Sequence, residues 1–151
     1  NTTSYRYVRC VSGSSTPTAS FADNGNGTVT DTATGLIWQK CSVGQTGANC
    51  SGGSDTSMDW PTALITCSGL NLASKTWRLP NINELKTLVD TTKSTSPLIY
   101  DAFPDTPGSY YWSSTTAESS HSDAWGVFFG GGNVDYYLKT STNSVRCVSG
   151  P

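Results

Sequence analysis

A chain of 151 residues with net charge −2 and 13% charged residues is sized for one domain and has no general attraction for nucleic acid or anionic membrane. No run reaches the roughly 18 apolar residues of a membrane-spanning helix, so membrane insertion is not expected. Abundant Ser, Thr, Gly and Asn describe a secreted or cell-surface domain kept soluble by hydroxyls and amides. The sequence starts at Asn1 rather than Met, as a mature or excised form would. Five cysteines, no C-x-x-C pair and a single histidine, His121, exclude zinc-ligand spacing. Disulfides in an oxidising compartment are the simpler reading. Four cysteines can pair, which leaves one free or bonded to another chain.

In chain order, Tyr5–Val11 reads as a strand of alternating faces. Val8-Arg9-Cys10-Val11-Ser12-Gly13 matches Val145-Arg146-Cys147-Val148-Ser149-Gly150 at every position. Residues 1–13 are therefore either the tail of a preceding tandem domain or a strand that adds to a neighbouring copy. Residues 14–20 are a Ser/Thr/Pro linker, and residues 21–151 are the domain proper. A hairpin is expected over residues 21–40, with strands at Thr28–Thr30 and Leu36–Trp38 and turns at Asn24-Gly25, Asn26-Gly27 and Thr34-Gly35. Asp23, Asn24, Asn26 and Asp31 lack the spacing of a calcium loop, so turn chemistry accounts for them and no metal or other cofactor is expected. Residues 41–59 are an irregular Gly/Ser-rich loop. Trp60, Ala63, Leu64, Cys67 and Leu70 recur at helical spacing, which predicts a first helix over residues 59–71 with Cys67 on its buried face.

Pro80 forces Leu79 toward an extended conformation. Asn81 and Glu84 then have the spacing of a capping box, and Ile82, Leu85, Leu88 and Val89 mark one face of a second helix. Residues 91–108 are again irregular. Four strands are expected at residues 110–113, 124–129, 134–139 and 144–148, with a turn at Gly130–Asn133. These elements give an α+β fold, two helices packed on a twisted, mainly antiparallel sheet with long irregular loops.

The segment Trp77-Arg78-Leu79-Pro80-Asn81-Ile82-Asn83-Glu84-Leu85 is similar to the signature of the Lcl C-terminal domain family, named after a collagen-like adhesin of Legionella. Phe21–Asp31, Gly35–Lys40, Tyr111–Ser114, Ala124–Val127 and Val145–Val148 follow in the family's order. The resemblance spans residues 21–148. It implies a C-type-lectin-like, formylglycine-generating-enzyme-like fold, with the chain ends side by side in the sheet, and a binding scaffold of many ligands. Arg78 and Arg146 belong to its motifs and are expected to brace the core. The naming adhesin is associated with sulfated glycosaminoglycans, but residues 91–140 hold only Lys93 and Lys139 as basic groups.

An enzyme is not expected. Ser120, His121 and Asp123 are adjacent in a polar stretch read as a solvated loop, which cannot hold a nucleophile, base and orienter in line. The Glu-Pro-Asn, Gln-Pro-Asp and Trp-Asn-Asp motifs of calcium-dependent lectins are missing from the sequence. Aromatic strands are the binding candidates, since rings supply area and adjacent polar groups supply direction. Trp125, Val127 and Phe129 share a face read as core, and Tyr110 and Tyr111 cannot both be buried. The candidate ligand residues are Tyr110, Phe128, Asn133, Tyr136, Tyr137 and Lys139. Cys41 is expected to bond Cys50 and Cys67 to bond Cys147, with Cys10 left for an intermolecular bond. Asn1, Asn26 and Asn49 head glycosylation sequons. The function expected is a non-catalytic extracellular adhesion module for a glycan or surface protein. The alternative is a repeating subunit of a surface fibre, joined head to tail to copies of itself through the N-terminal strand.

Overall fold

The computed structural model describes residue 12 and residues 19–150. Asn1, Cys10, the strand expected over Tyr5–Val11 and most of the linker lie outside the described residues. Within them the fold is α+β, with two short helices and mostly antiparallel sheets. The single sheet expected is instead divided. β1 (Phe21–Asp23), β2 (Thr28–Asp31), β3 (Ile37–Gln39) and β9 (Val148–Ser149) form a four-stranded sheet in that order. β6 (Tyr110–Ala117), β7 (Ser120–Phe128) and β8 (Asn133–Leu138) form a three-stranded sheet. β1 and β9 share a sheet but are separated by β2 and β3, so the first and last strands are not side by side as the resemblance implied.

The hairpin of residues 21–40 is present, and its polar residues hold its turns. Asp23 Oδ1 accepts from the Gly25 amide, and Asn24 Nδ2 donates to the hydroxyls of Thr28 and Thr30. The Asp31 carboxylate accepts from the Ala33 amide and the Thr34 hydroxyl. Lys40 Nζ pairs with Asp23 at 2.7 Å, which holds the Asp23 carboxyl below its ordinary pKa. The loop after Lys40 is more ordered than its composition suggested. A ribbon of β4 (Gln45–Thr46) and β5 (Gly52–Gly53) crosses it, and the expected Cys41–Cys50 disulfide closes it. Gly44 is required there, because a Cβ would come within 2.3 Å of the Ser54 carbonyl oxygen.

Helix α1 runs over Trp60–Ser68, shorter than residues 59–71. Asp59 caps it by accepting from the Thr62 amide, and Gly69 ends it. Ala63 and Cys67 are its buried positions, and Cys67 bonds Cys147 as expected. Helix α2 covers only Ile82–Leu85 and tightens into a 3-10 turn at Lys86–Leu88. Its helical face does not extend to Val89, because Val89 bridges Ile99 and is drawn into an extended conformation. The irregular stretch that follows is not merely surface. Ile99 and Phe103 enter the core with Leu85, Leu88, Tyr111, Val127 and Phe129. A second cluster packs α1 against Trp77, Leu79, Trp112, Ala124, Val145 and Cys147.

The capping box at α2 is complete. Asn81 Oδ1 accepts from the Glu84 amide, and Glu84 Oε2 accepts from the Asn81 amide. The same carboxylate accepts from both terminal guanidinium nitrogens of Arg78, at 2.8 and 2.7 Å. The Arg78 side chain is 41% exposed, so its bonds to Glu84 are only partly buried. Burial raises the Glu84 pKa, but Arg78 and the Asn81 amide outweigh it, and the net shift is downward. A carboxylate of lowered pKa stabilises the fold above its unfolded pKa of about 4.3, and that contribution is lost as pH falls through the folded value. Glu84→Gln is accordingly expected to cost about 1 kcal/mol at neutral pH. The gap from wild type should narrow below about pH 4, as read by urea midpoints across pH.

The strand expected at residues 144–148 is realised only as β9, Val148–Ser149, but the final segment has backbone partners on both sides and is not a free edge. Val148 exchanges both backbone hydrogen bonds with Arg78, at 2.9 Å each. On the other side Gln39 N donates to Cys147 O and Val43 N to Val145 O. Arg146 is fully buried and braces the core as expected. Its guanidinium donates to the Gln39 and Lys40 carbonyls and to the Ser42 and Thr106 hydroxyls. It lies 4.9 Å from the Phe103 ring centroid.

Candidate functional site

The candidate residues converge on the three-stranded sheet, where alternation divides them between two faces. Tyr110, Phe128, Asn133, Asp135 and Tyr137 fall on one face by register, and Tyr111, Trp125, Val127, Val134 and Tyr136 on the other. Two aromatic assemblies result. Tyr110 stacks on Phe128 at 4.5 Å and meets Tyr137 edge-on at 4.5 Å. Tyr136 meets Trp125 edge-on at 5.0 Å on the opposite face. Tyr110 is half-buried and Tyr111 fully buried, as their adjacency required.

The first assembly is partly covered. The Phe128 ring lies against the glycine turn, where a Cβ on Gly130 would approach its Cζ to 2.3 Å. Tyr137 packs against the α1 cluster. Burial, the Tyr110 hydroxyl and the Asp135 carboxylate all push the Tyr137 pKa up, so it stays a neutral hydroxyl. Lys139 is held by structure. Its Nζ donates to the Thr116 hydroxyl and the His121 carbonyl and sits 4.2 Å from the Trp60 ring centroid. Asn133 is exposed beside the turn.

The second assembly is the more open one, and sequence reasoning found only part of it. Val134, Tyr136 and Leu138 are 39%, 44% and 56% exposed, and they form one row along β8. Trp125 lies behind them, half-buried, a correction to its placement in the core with Val127 and Phe129. β8 is the outermost strand of its sheet, and its row stays exposed where Val127, on the central strand, is buried. The signal was present as the alternation Val134, Tyr136, Leu138; the missing knowledge was the position of β8 at the outside of its sheet. The amide of Tyr136 is occupied by the Asp135 carboxylate at 2.8 Å.

The polar stretch Ser119–Asp123 is not a solvated loop either. Ser120–Asp123 belong to β7, and β6 runs on to Ala117 to form a hairpin with it. His121 is exposed on that strand. Asp90, another carboxylate near α2, is satisfied by the Thr92 amide and hydroxyl, which lower its pKa. Among the described residues, no three His, Cys, Asp or Glu side chains are grouped to hold a metal ion. The sequons at Asn26 and Asn49 are exposed, and Asn1 lies outside the described residues.

The two disulfides fit an oxidising, extracellular setting. No helix among the described residues is long and apolar enough to cross a membrane. A search of curated proteins finds no match to the chain. The sequence profile described as the Lcl C-terminal domain matches residues 27–149, from the start of β2 through the buried Arg146 to β9. A match over that much of the sequence, on motifs that the structure shows to be core strands and the capped helix, means that the chain belongs to the Lcl C-terminal domain family.

Proposed function

We propose that this domain is a non-catalytic adhesion module of the cell exterior, which holds a glycan or a surface protein against the outer strand of its three-stranded sheet. The observation that carries the reading is the exposed row Val134, Tyr136 and Leu138 backed by Trp125. Apolar and aromatic area on a rigid strand suits the face of a sugar ring or an apolar patch of a protein. The family, the disulfides and the settled hydrogen bonding of Glu84 and Asp90 support a binding role over catalysis. A C-type-lectin-like arrangement is part of the proposal. Its support is that β1 and β9 lie in one sheet, that one disulfide closes the loop after β3 and that another ties α1 to the final segment.

The test is a glycan array with a pull-down from surface extracts, run on wild type and on Tyr136→Ala/Leu138→Ala. Both positions are exposed, so the double variant is expected to fold with less than about 1 kcal/mol of loss. It should lose at least about tenfold in affinity if the row is the contact. Binding that survives the double variant unchanged would move the site elsewhere, and no ligand on either platform would sink the adhesive reading.

A further inference from the structure

Residues 8–13 copy a final segment, residues 145–150, whose every position the fold constrains. Val145 and Val148 are fully buried, Arg146 fills a closed polar pocket, and Cys147 bonds Cys67. Ser149 is 7% exposed and pairs with Ile37. Gly150 takes φ +117°, a conformation that disfavours side chains. Val8, Arg9, Cys10, Val11, Ser12 and Gly13 supply the same six residues in the same order. A surface strand would have no use for a buried arginine's fork or for a cysteine aimed at Cys67.

We propose that Val8–Gly13 is an alternative occupant of the slot held by Val145–Gly150, in a copy of this domain. The slot is flanked by backbone partners on both sides, from Gln39 and Val43 on one and Arg78 on the other. The segment therefore replaces the resident strand and does not add to a free edge. Replacement carries its own covalent step. The Cys10 thiolate attacks Cys67 Sγ, the Cys67–Cys147 bond breaks, and Cys147 leaves as the thiolate, with no net oxidation. The reach is adequate even within one chain. Register through Ala22, Thr30 and Ile37 puts the start of β1 and the end of β9 at the same end of the four-stranded sheet. Three strand spacings are about 14 Å, and residues 14–20 extend to about 23 Å. A second copy is open to the same exchange, which would join copies by their cores. The match ends at Tyr7, which stands where Ser144 is buried and donates to Asp55 at 2.6 Å. That misfit favours the resident strand while it is intact. The inference is independent of the adhesive reading.

The experiment uses the full chain carrying Arg146→Ala/Cys147→Ser, refolded in a mixture of reduced and oxidised glutathione. Oxidised glutathione takes up the two electrons and two protons released as Cys10 and Cys67 join. Peptide mapping should find the Cys10–Cys67 link in most chains, together with a cooperative melt. Adding Arg9→Ala should cut the linked fraction at least about fivefold, because Arg9 must reach the pocket of the Gln39 and Lys40 carbonyls. A link that Arg9→Ala leaves unchanged would be simple thiol proximity and would overturn the proposal. An unfolded variant with no link would overturn it too, since a competent substitute rescues the fold.

Discussion

Arg146→Ala is expected to lower the unfolding free energy by about 3–4 kcal/mol. The guanidinium donates to two backbone carbonyls and two hydroxyls, and all of these bonds except the one to the Lys40 carbonyl are fully buried. It thereby ties the end of β3 and the loop after it to Thr106, in a segment with little regular structure. Alanine leaves those acceptors buried and opens a cavity beside Phe103 and Tyr111. Removing a cation that burial itself disfavours, as its lowered pKa shows, returns part of that loss. Arg146→Lys should recover less than half, because one ammonium cannot span acceptors that a planar fork reaches together. Urea midpoints under oxidising conditions, with the Cys67–Cys147 bond intact, give both values. A loss below about 1 kcal/mol for alanine would mean that the pocket collapses or rehydrates freely.

Removal of the long disulfide by Cys67→Ala/Cys147→Ala is expected to cost about 4.5 kcal/mol. The bond closes a loop with a sequence separation of 80 residues, so it restrains most of the unfolded domain. Both cysteines are fully buried in the α1 cluster, and alanine leaves no polar atom there. The same change at Cys41 and Cys50, separated by 9 residues, should cost about 2.5 kcal/mol. Denaturant unfolding of the two double variants side by side checks the order. Equal losses, or a larger one at the short loop, would show that native-state packing and not chain entropy sets the cost.

The parts of this fold legible from sequence are those written locally. Asn81 and Glu84 identify a capped helix whatever surrounds them, and the box is present to the hydrogen bond. The caps of α1 at Asp59 and Gly69 were not read, and apolar spacing alone extended the helix to residues 59–71. The failures are of longer range. Val89 has helical spacing but bridges Ile99, and no local feature announces that partner. Ser120–Asp123 are polar because one hairpin end is exposed, and polarity was read as loop. Trp125 shares its face with Val127, yet burial along one strand depends on what packs above each residue. Thus the candidate residues Tyr110, Phe128 and Tyr137 did gather, while Val134 and Leu138, the most open apolar positions of that sheet besides Tyr136, needed the strand order to be seen.

The Asp135 carboxylate on the Tyr136 amide has a bearing on colloidal behaviour. An outermost strand with a greasy row offers both adhesive area and a template for chain-to-chain backbone pairing. Here one backbone donor in the middle of that strand is already engaged by its neighbour's side chain, and the engaging group is an anion. Approach of a second backbone must displace that bond and strand a charge against carbonyl oxygens. Approach of a ring or a methyl group to Val134, Tyr136 and Leu138 meets no such obstacle. In crowded solution, backbone pairing along β8 therefore carries a cost that contact with its exposed side chains does not.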